Sequence, residues 1–254
     1  MNLRLFRHSA ALAKRNLIGV TRNPEAFLDV TLQPIIFIAL FTYVFGGAIA
    51  GGSQHDYLQF LLPGLLAQTI AFGGVAIGVN LNTDMEKGVF DRFRRLPIMR
   101  AAPLIGSVIA DVVRYVVICV VTLGFGYILG FRASTSVPEV LAAVLLAIGF
   151  AMCLSWISVW VGMLARTPGS VQGILMLALF PLTFGSVTFV PADTLPSWLK
   201  TFTDVNPLTH LIGALRGLIT GGPVQTDLFW TLGWMAGLLV VFVPLALRAY
   251  NRRA

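Results

Sequence analysis

Asp111 and Arg114 stand three residues apart inside an otherwise apolar run, residues 104–130. An acid and a base at that spacing share one face of a helix. Inside a bilayer such a pair is either a mutually neutralising structural element or a step on a transport path. The rest of the reactive inventory is sparse. His8, His55 and His210 are dispersed, and neither His-Glu-x-x-His nor Gly-x-Ser-x-Gly occurs. A phosphate-binding loop needs a Gly-Lys dipeptide, whereas Lys14, Lys87 and Lys200 follow Ala, Glu and Leu. Cys119 and Cys153 fall within apolar runs, which suggests neither a disulfide framework nor a metal cluster. The chain is therefore expected to be no enzyme and to hold no cofactor or metal of its own.

Composition says what must carry these residues. The chain is 57% hydrophobic and 11% charged, with a mean hydropathy of +0.83. Globular domains run to about a quarter charged residues, so an all-α integral membrane protein is expected, a single domain over 1–254. Six runs are long enough for a bilayer core of about 30 Å: 28–49, 58–80, 104–130, 138–164, 170–190 and 227–248. Only a short interfacial turn at Pro168-Gly169 parts the fourth from the fifth. The net charge of +7 would suit nucleic acid, but its distribution points elsewhere. Fourteen of the eighteen Lys and Arg residues fall in segments on one side of this map, three on the other, and Arg114 within a span. The positive-inside rule then places both termini in the cytoplasm. No cleavable signal peptide is expected, because the first apolar run follows a basic lead and is too long.

The charged island NTDMEKGVFDRFRRLPIMR, residues 82–100, separates the second and third runs. Thr83 to Glu86 fits a capping box, and Pro97 would stop the helix that it starts. Met85, Val89, Phe93 and Leu96 line one face; Lys87, Asp91 and Arg95 pair along another. A short amphipathic helix between two spans must rest its apolar stripe on headgroups, on its own bundle or on a soluble partner. Residues 1–22 read as a second amphipathic helix, lying on the interface, with Leu3, Phe6, Ala10, Ala13 and Leu17 on one side.

Within the spans, Pro34 is expected to kink or open the first, and Pro63-Gly64 to break the second. Gln68, Asn80 and Asn82 give the second span a polar side with Phe72 nearby, each singly read as glue between helices and together as a pathway wall, and the fifth ends in Phe180, Thr183 and Phe184. These two spans alone combine aromatics with uncharged polar groups. Gln68, Phe72, Phe180, Thr183 and Phe184 are therefore candidate contacts along a substrate route, facing those of a second copy. Residues 191–220 are too apolar for an ordinary loop. Pro191, Pro196 and Pro207 cut them into half-length helices, about 195–203 and 207–219, which suggests a re-entrant segment. Asn206-Pro207 would open the second piece, and Arg216 reads as a snorkelling or paired charge.

Four stretches resemble the ABC-2 type transporter permeases, and among them the daunorubicin/doxorubicin-resistance exporter permeases. They are KRNLIGVTRNPEAF, YLQFLLPGLL, EKGVFDRFRRLPIMR and FVPADTLPSWLKTFTDVNPLTHLIGALRGL, in order along nearly the whole chain. The resemblance implies a six-helix half-transporter in the cytoplasmic membrane of a bacterium. It pairs with a second permease copy, as homodimer or paralogue heterodimer, and binds two copies of a separate ABC ATPase that holds ATP and Mg. Residues 83–96 become the coupling helix, with Thr83, Met85, Glu86, Val89, Phe93, Arg94 and Arg95 at the ATPase. The re-entrant piece closes the outer side, with Trp198, Asn206, Pro207 and Arg216 as its gate. The implied function is export of hydrophobic or amphiphilic drugs or lipids, with membrane lipid and no nucleic acid as surroundings. A permease for lipid-linked glycans or envelope lipids shares the fold. An ATP-independent channel or assembly factor would have no use for the amphipathic island.

Overall fold

A computed structural model describes residues 24–46, 53–88, 102–191 and 196–253. These residues form nine α-helices and one π-helical turn, with no strand among them. In chain order they are α1 (Pro24–Leu40), the π-turn Phe41–Phe45, α2 (Gln54–Gly73), α3 (Val75–Glu86), α4 (Ala102–Ile128), α5 (Val137–Leu164), α6 (Pro168–Phe184), α7 (Ser197–Val205), α8 (Pro207–Thr220) and α9 (Gln225–Arg253). Four helical stretches are long and apolar enough to cross a membrane: Gln54–Glu86, Leu104–Ile128, Val137–Leu164 and Gln225–Arg252. Thr31–Phe45 and Pro168–Phe184 are apolar but shorter. The chain is an all-helical, multi-pass membrane protein.

Side-chain chemistry sets most of the boundaries. Ser53 caps α2 by accepting from the backbone N of Asp56 at 3.2 Å. Ser136 and Glu139 form a full capping box ahead of α5, with Pro138 in its first turn. Thr167 accepts from Ser170 N at 3.2 Å and starts α6 at Pro168, which makes the turn between the fourth and fifth apolar runs as short as expected.

Two local expectations are corrected. Pro63 lies within α2, which runs through it unbroken. The break in this span falls instead at Gly74, whose N–H turns back to Ala71 O at 3.3 Å. Pro34 sits inside α1, as expected of a proline within the first span, and a π-turn follows at Phe41–Phe45. Thr83 does not begin a helix. It lies inside α3, which ends at Glu86, and its hydroxyl donates to Val79 O at 2.9 Å. A Thr hydroxyl bonded to the carbonyl four residues back belongs to a helix interior and not to an N-cap, so the capping-box reading fails there. Val89, Phe93, Arg94, Arg95 and the interfacial helix 1–22 lie outside the described residues.

The core gathers on α2 and α5. Leu58, Leu61, Leu62, Leu65, Leu66 and Ile70 of α2 are all but inaccessible. They pack with Ala143, Ala147, Phe150 and Ala151 of α5 and with Leu208, Leu211, Ile212 and Leu215 of α8. The final helix α9 is the outlier: Phe229, Trp230, Val240 and Val241 are exposed, as suits a helix with one face toward acyl chains.

Candidate functional site

Phe60, Gly64, Gln68 and Phe72 recur every four residues, so they form one stripe along α2. The chain from Phe180 to Thr188 descends that stripe. Phe72 meets Phe180 edge-on at 5.9 Å between ring centroids. At the other end Gly64 lies so close to Thr188 that an added Cβ would stand 2.8 Å from its carbonyl oxygen. Gln68 lies between these two contacts along the stripe.

Phenylalanine rings continue outward from this stripe. Phe180 stacks on Phe184 at 5.7 Å, Phe184 on Phe189 at 5.3 Å and Phe189 on Phe41 at 4.4 Å. Phe41 then stacks on Phe45 at 5.3 Å and takes Phe37 edge-on at 6.1 Å. The rings form one connected series joining α2, α6, the segment after α6, and the π-turn. Phe180 and Phe184 are half exposed, so one side of the series is open. Of the candidate contacts, Phe72, Phe180 and Phe184 are brought together within one chain. Phe37, Phe41, Phe45 and Phe189 join them unforeseen, although the four-residue spacing of the first three is plain in the sequence.

The polar members behave differently. Gln68 and Thr183 are buried, at 2% and 0% exposure, and Gln68 Oε1 and Thr183 Oγ1 have no hydrogen-bond partner among the described residues. Such groups cost free energy in an apolar interior. Thr42, in the π-turn, is buried with its hydroxyl in the same state.

The half-helices before α9 form where expected, at Ser197–Val205 and Pro207–Thr220. Asn206 does three things at their junction. Its Oδ1 accepts from Leu208 N at 2.9 Å, capping α8, while Nδ2 donates to Leu182 O at 2.7 Å and to Gly185 O at 3.0 Å. The last two are carbonyls at the end of α6, where helical partners run out. Thr203 Oγ1 lies 3.1 Å from the same Gly185 carbonyl. Pro207 occupies the first turn of α8. Arg216 points into the protein: its guanidinium lies 3.9 Å above the Phe60 ring and donates to Phe60 O at 3.1 Å and Val187 O at 3.2 Å. Trp198 stands apart from these residues, 73% exposed.

His210 ties the half-helices to α9. Nδ1 is 3.0 Å from Asp227 Oδ1, Nε2 is 3.0 Å from Asp204 O, and the ring stacks on Trp230 at 5.6 Å. Gly213 makes the room, since an added Cβ would collide with the Asp227 carboxylate.

On α4, Arg114 Nε approaches Asp111 Oδ1 at 3.9 Å, both residues buried. The predicted pair forms, yet Asp111 Oδ2 has no hydrogen-bond partner among the described residues. One turn on, Tyr115 Oη is 2.5 Å from Ser155 Oγ of α5. Ser155 donates to Ala151 O at 2.6 Å, so the tyrosine is the donor of the pair. Among the described residues no cluster of His, Cys, Asp and Glu is arranged to hold a metal ion.

Helices long and apolar enough to cross a membrane, with an aromatic series open on one side, are the parts that a membrane permease uses. The ABC-2 type transporter profile matches residues 8–220, and the chain belongs to that family. It is 42% identical over 243 residues to the daunorubicin resistance ABC transporter permease protein DrrB1 of Streptomyces coeruleorubidus, covering 94% of this chain and 84% of the relative. The probable doxorubicin resistance ABC transporter permease protein DrrC of Mycobacterium tuberculosis is 28% identical, over 94% of this chain and 86% of its own length. The putative transport permease ycf38 of Cyanophora paradoxa is 28% identical, over 82% and 72%. A permease of this family implies an ATPase partner.

Proposed function

We propose that this chain is the transmembrane half of an exporter that moves hydrophobic or amphiphilic drugs or lipids out across the bacterial cytoplasmic membrane. ATP and Mg sit on a separate ATPase subunit, present in two copies, and a second permease completes the route. The short apolar helices 31–45 and 168–184 count as the first and fifth of six spans, α7 and α8 as the re-entrant outer segment, with both termini cytoplasmic. Residues 83–96 meet the ATPase.

The observation that carries this reading is the phenylalanine series. Its open side at Phe180 and Phe184 offers a flat apolar molecule ring faces to slide along, and on the same two helices Gln68 and Thr183 carry hydrogen-bonding oxygens with no partner among the described residues. Trp198, Asn206, Pro207 and Arg216 belong to the closing outer segment, in which Asn206 and Arg216 hold the helices together and Trp198 is free to meet a partner. The permease, co-expressed with its ATPase and reconstituted in liposomes, should show ATP-dependent uptake of an aromatic cationic drug or a fluorescent phospholipid into inside-out vesicles. Absence of uptake for both classes, with an active ATPase bound, would overturn the proposal.

A further inference from the structure

The second span is two bodies, and one side chain fastens the lower of them. α2 packs chiefly along α4 and α8, whereas α3 packs chiefly along α5 and α6. Between them Gly74 interrupts the helix, and its Cα faces the hydroxyls of Tyr115 and Ser155, which an added Cβ would approach to 3.3 and 3.4 Å. No side chain bridges the break from that position.

One turn past the break the packing is of a different kind. Gly78 and Gly162 bring the backbones of α3 and α5 into direct contact: a Cβ on Gly162 would lie 2.6 Å from Gly78 O, and one on Gly78 would strike Ser158 O. One turn further along, Asn82 is 1% exposed, and its Nδ2 donates to Gly162 O and to Ala165 O, both at 2.9 Å. Gly162 lies in the last turn of α5 and Ala165 just past it, where carbonyls lack helical partners. Asn82 thus caps α5 from another helix, four residues before α3 gives way to residues 87–101.

We propose that Asn82 is the positioning residue that makes α3, the end of α5 and the start of α6 move as one body, with Gly74 as the hinge against α2. Motion delivered at residues 87–101 then reaches α6, which carries Phe180 and Phe184, without being absorbed in the α3–α5 contact. This rests on the reading of residues 83–96 as the ATPase contact.

Two experiments test it, on the full permease–ATPase complex in liposomes. In the first, Asn82→Asp keeps the shape but sets acceptor against acceptor, and Asn82→Leu removes the donor. Both should retain the ATPase at wild-type ratio and hydrolyse ATP within about twofold of wild type, while transport per ATP falls about tenfold, within the usual range of coupling between sites. A merely structural role would lower hydrolysis and transport together; that result, or no change in either, overturns the inference. The second needs no substitution in the pin, and so holds even if those variants fold poorly. Spin labels at the exposed positions Glu86 and Arg166 should keep one distance distribution with and without a non-hydrolysable ATP analogue, while labels at Glu86 and His55 change theirs. A change between 86 and 166 would sink the single-body assignment. Failure of the ATPase contact itself reads out separately, as normal ATPase recovery in Phe93→Asp.

Discussion

The ring of Phe41 lies against that of Phe189 at 4.4 Å between centroids, 27° from parallel, the shortest ring contact in the phenylalanine series. It joins the π-turn, five residues wound wider than an α-helix, to the segment that leaves α6. π-turns recur at functional sites because they displace side chains from the α register. Here the displaced side chains include Phe41 and Phe45, both in the series.

Stacked aromatic pairs contribute about 0.5–1.5 kcal/mol beyond burial. Phe184→Ala and Phe41→Ala should therefore be tolerated for folding and change which substrates are moved. Drug-stimulated ATPase activity across a panel of aromatic and aliphatic substrates is the measurement. Unchanged profiles in both variants, at matched expression, would remove the series from the route.

Phe93→Asp should loosen the ATPase about thirtyfold or more, since charging a central anchor costs about 2 kcal/mol or more and each 1.4 kcal/mol is tenfold. Pull-down of the tagged permease at matched expression reads the ratio. Thr83→Ala, by contrast, removes only a bond to Val79 O within α3. It should leave ATPase recovery near wild type, and a large loss there would restore Thr83 as a helix start.

Gly213→Ala should push the Asp227 carboxylate off His210, costing about 1–3 kcal/mol as a half-buried polar pair is separated. Asp227→Asn weakens the same contact. Because both act on one interaction, the double variant should cost less than the sum of the singles. Unfolding temperatures in detergent complete this cycle; strict additivity would mean that the two positions are independent.

Topology has a direct assay. Single cysteines at Gln54 and Ser197, both exposed, should react with an impermeant maleimide from outside whole cells. A cysteine at Arg253 should react only after the membrane is opened. Outside labelling at Arg253 would invert the map.

Helix positions were legible because a bilayer demands long apolar runs, and the runs at 138–164 and 170–190 are delimited by residues with strong local preferences. Asn206-Pro207 announced its helix for the same reason. What failed was local chemistry with two outcomes. Thr83 can cap a helix or bond back within one, and the choice was made by α3 arriving from upstream. Pro63 lacks only one donor, which α2 tolerates, whereas Gly74 breaks the span beside Tyr115 and Ser155 with no local signal beyond paired glycines. The part of the site on α2 and α6 could be named because its residue types are unusual for spans. The partners of Asn82 were hidden, since a polar residue in a span can be read as glue between helices but not for which carbonyls eighty residues on.

Arg216 bears on the order in which the chain is made. Its guanidinium is held by the Phe60 ring and by two backbone oxygens, from Phe60 and Val187. A lone cation in hydrocarbon is costly, and α8 is too short to carry it across unaided. Both of its cradles precede it in the sequence, so synthesis from the N-terminus delivers the host surface before the charge emerges from the ribosome. A circular permutant that began at α7 would present the arginine first, with nothing assembled to receive it.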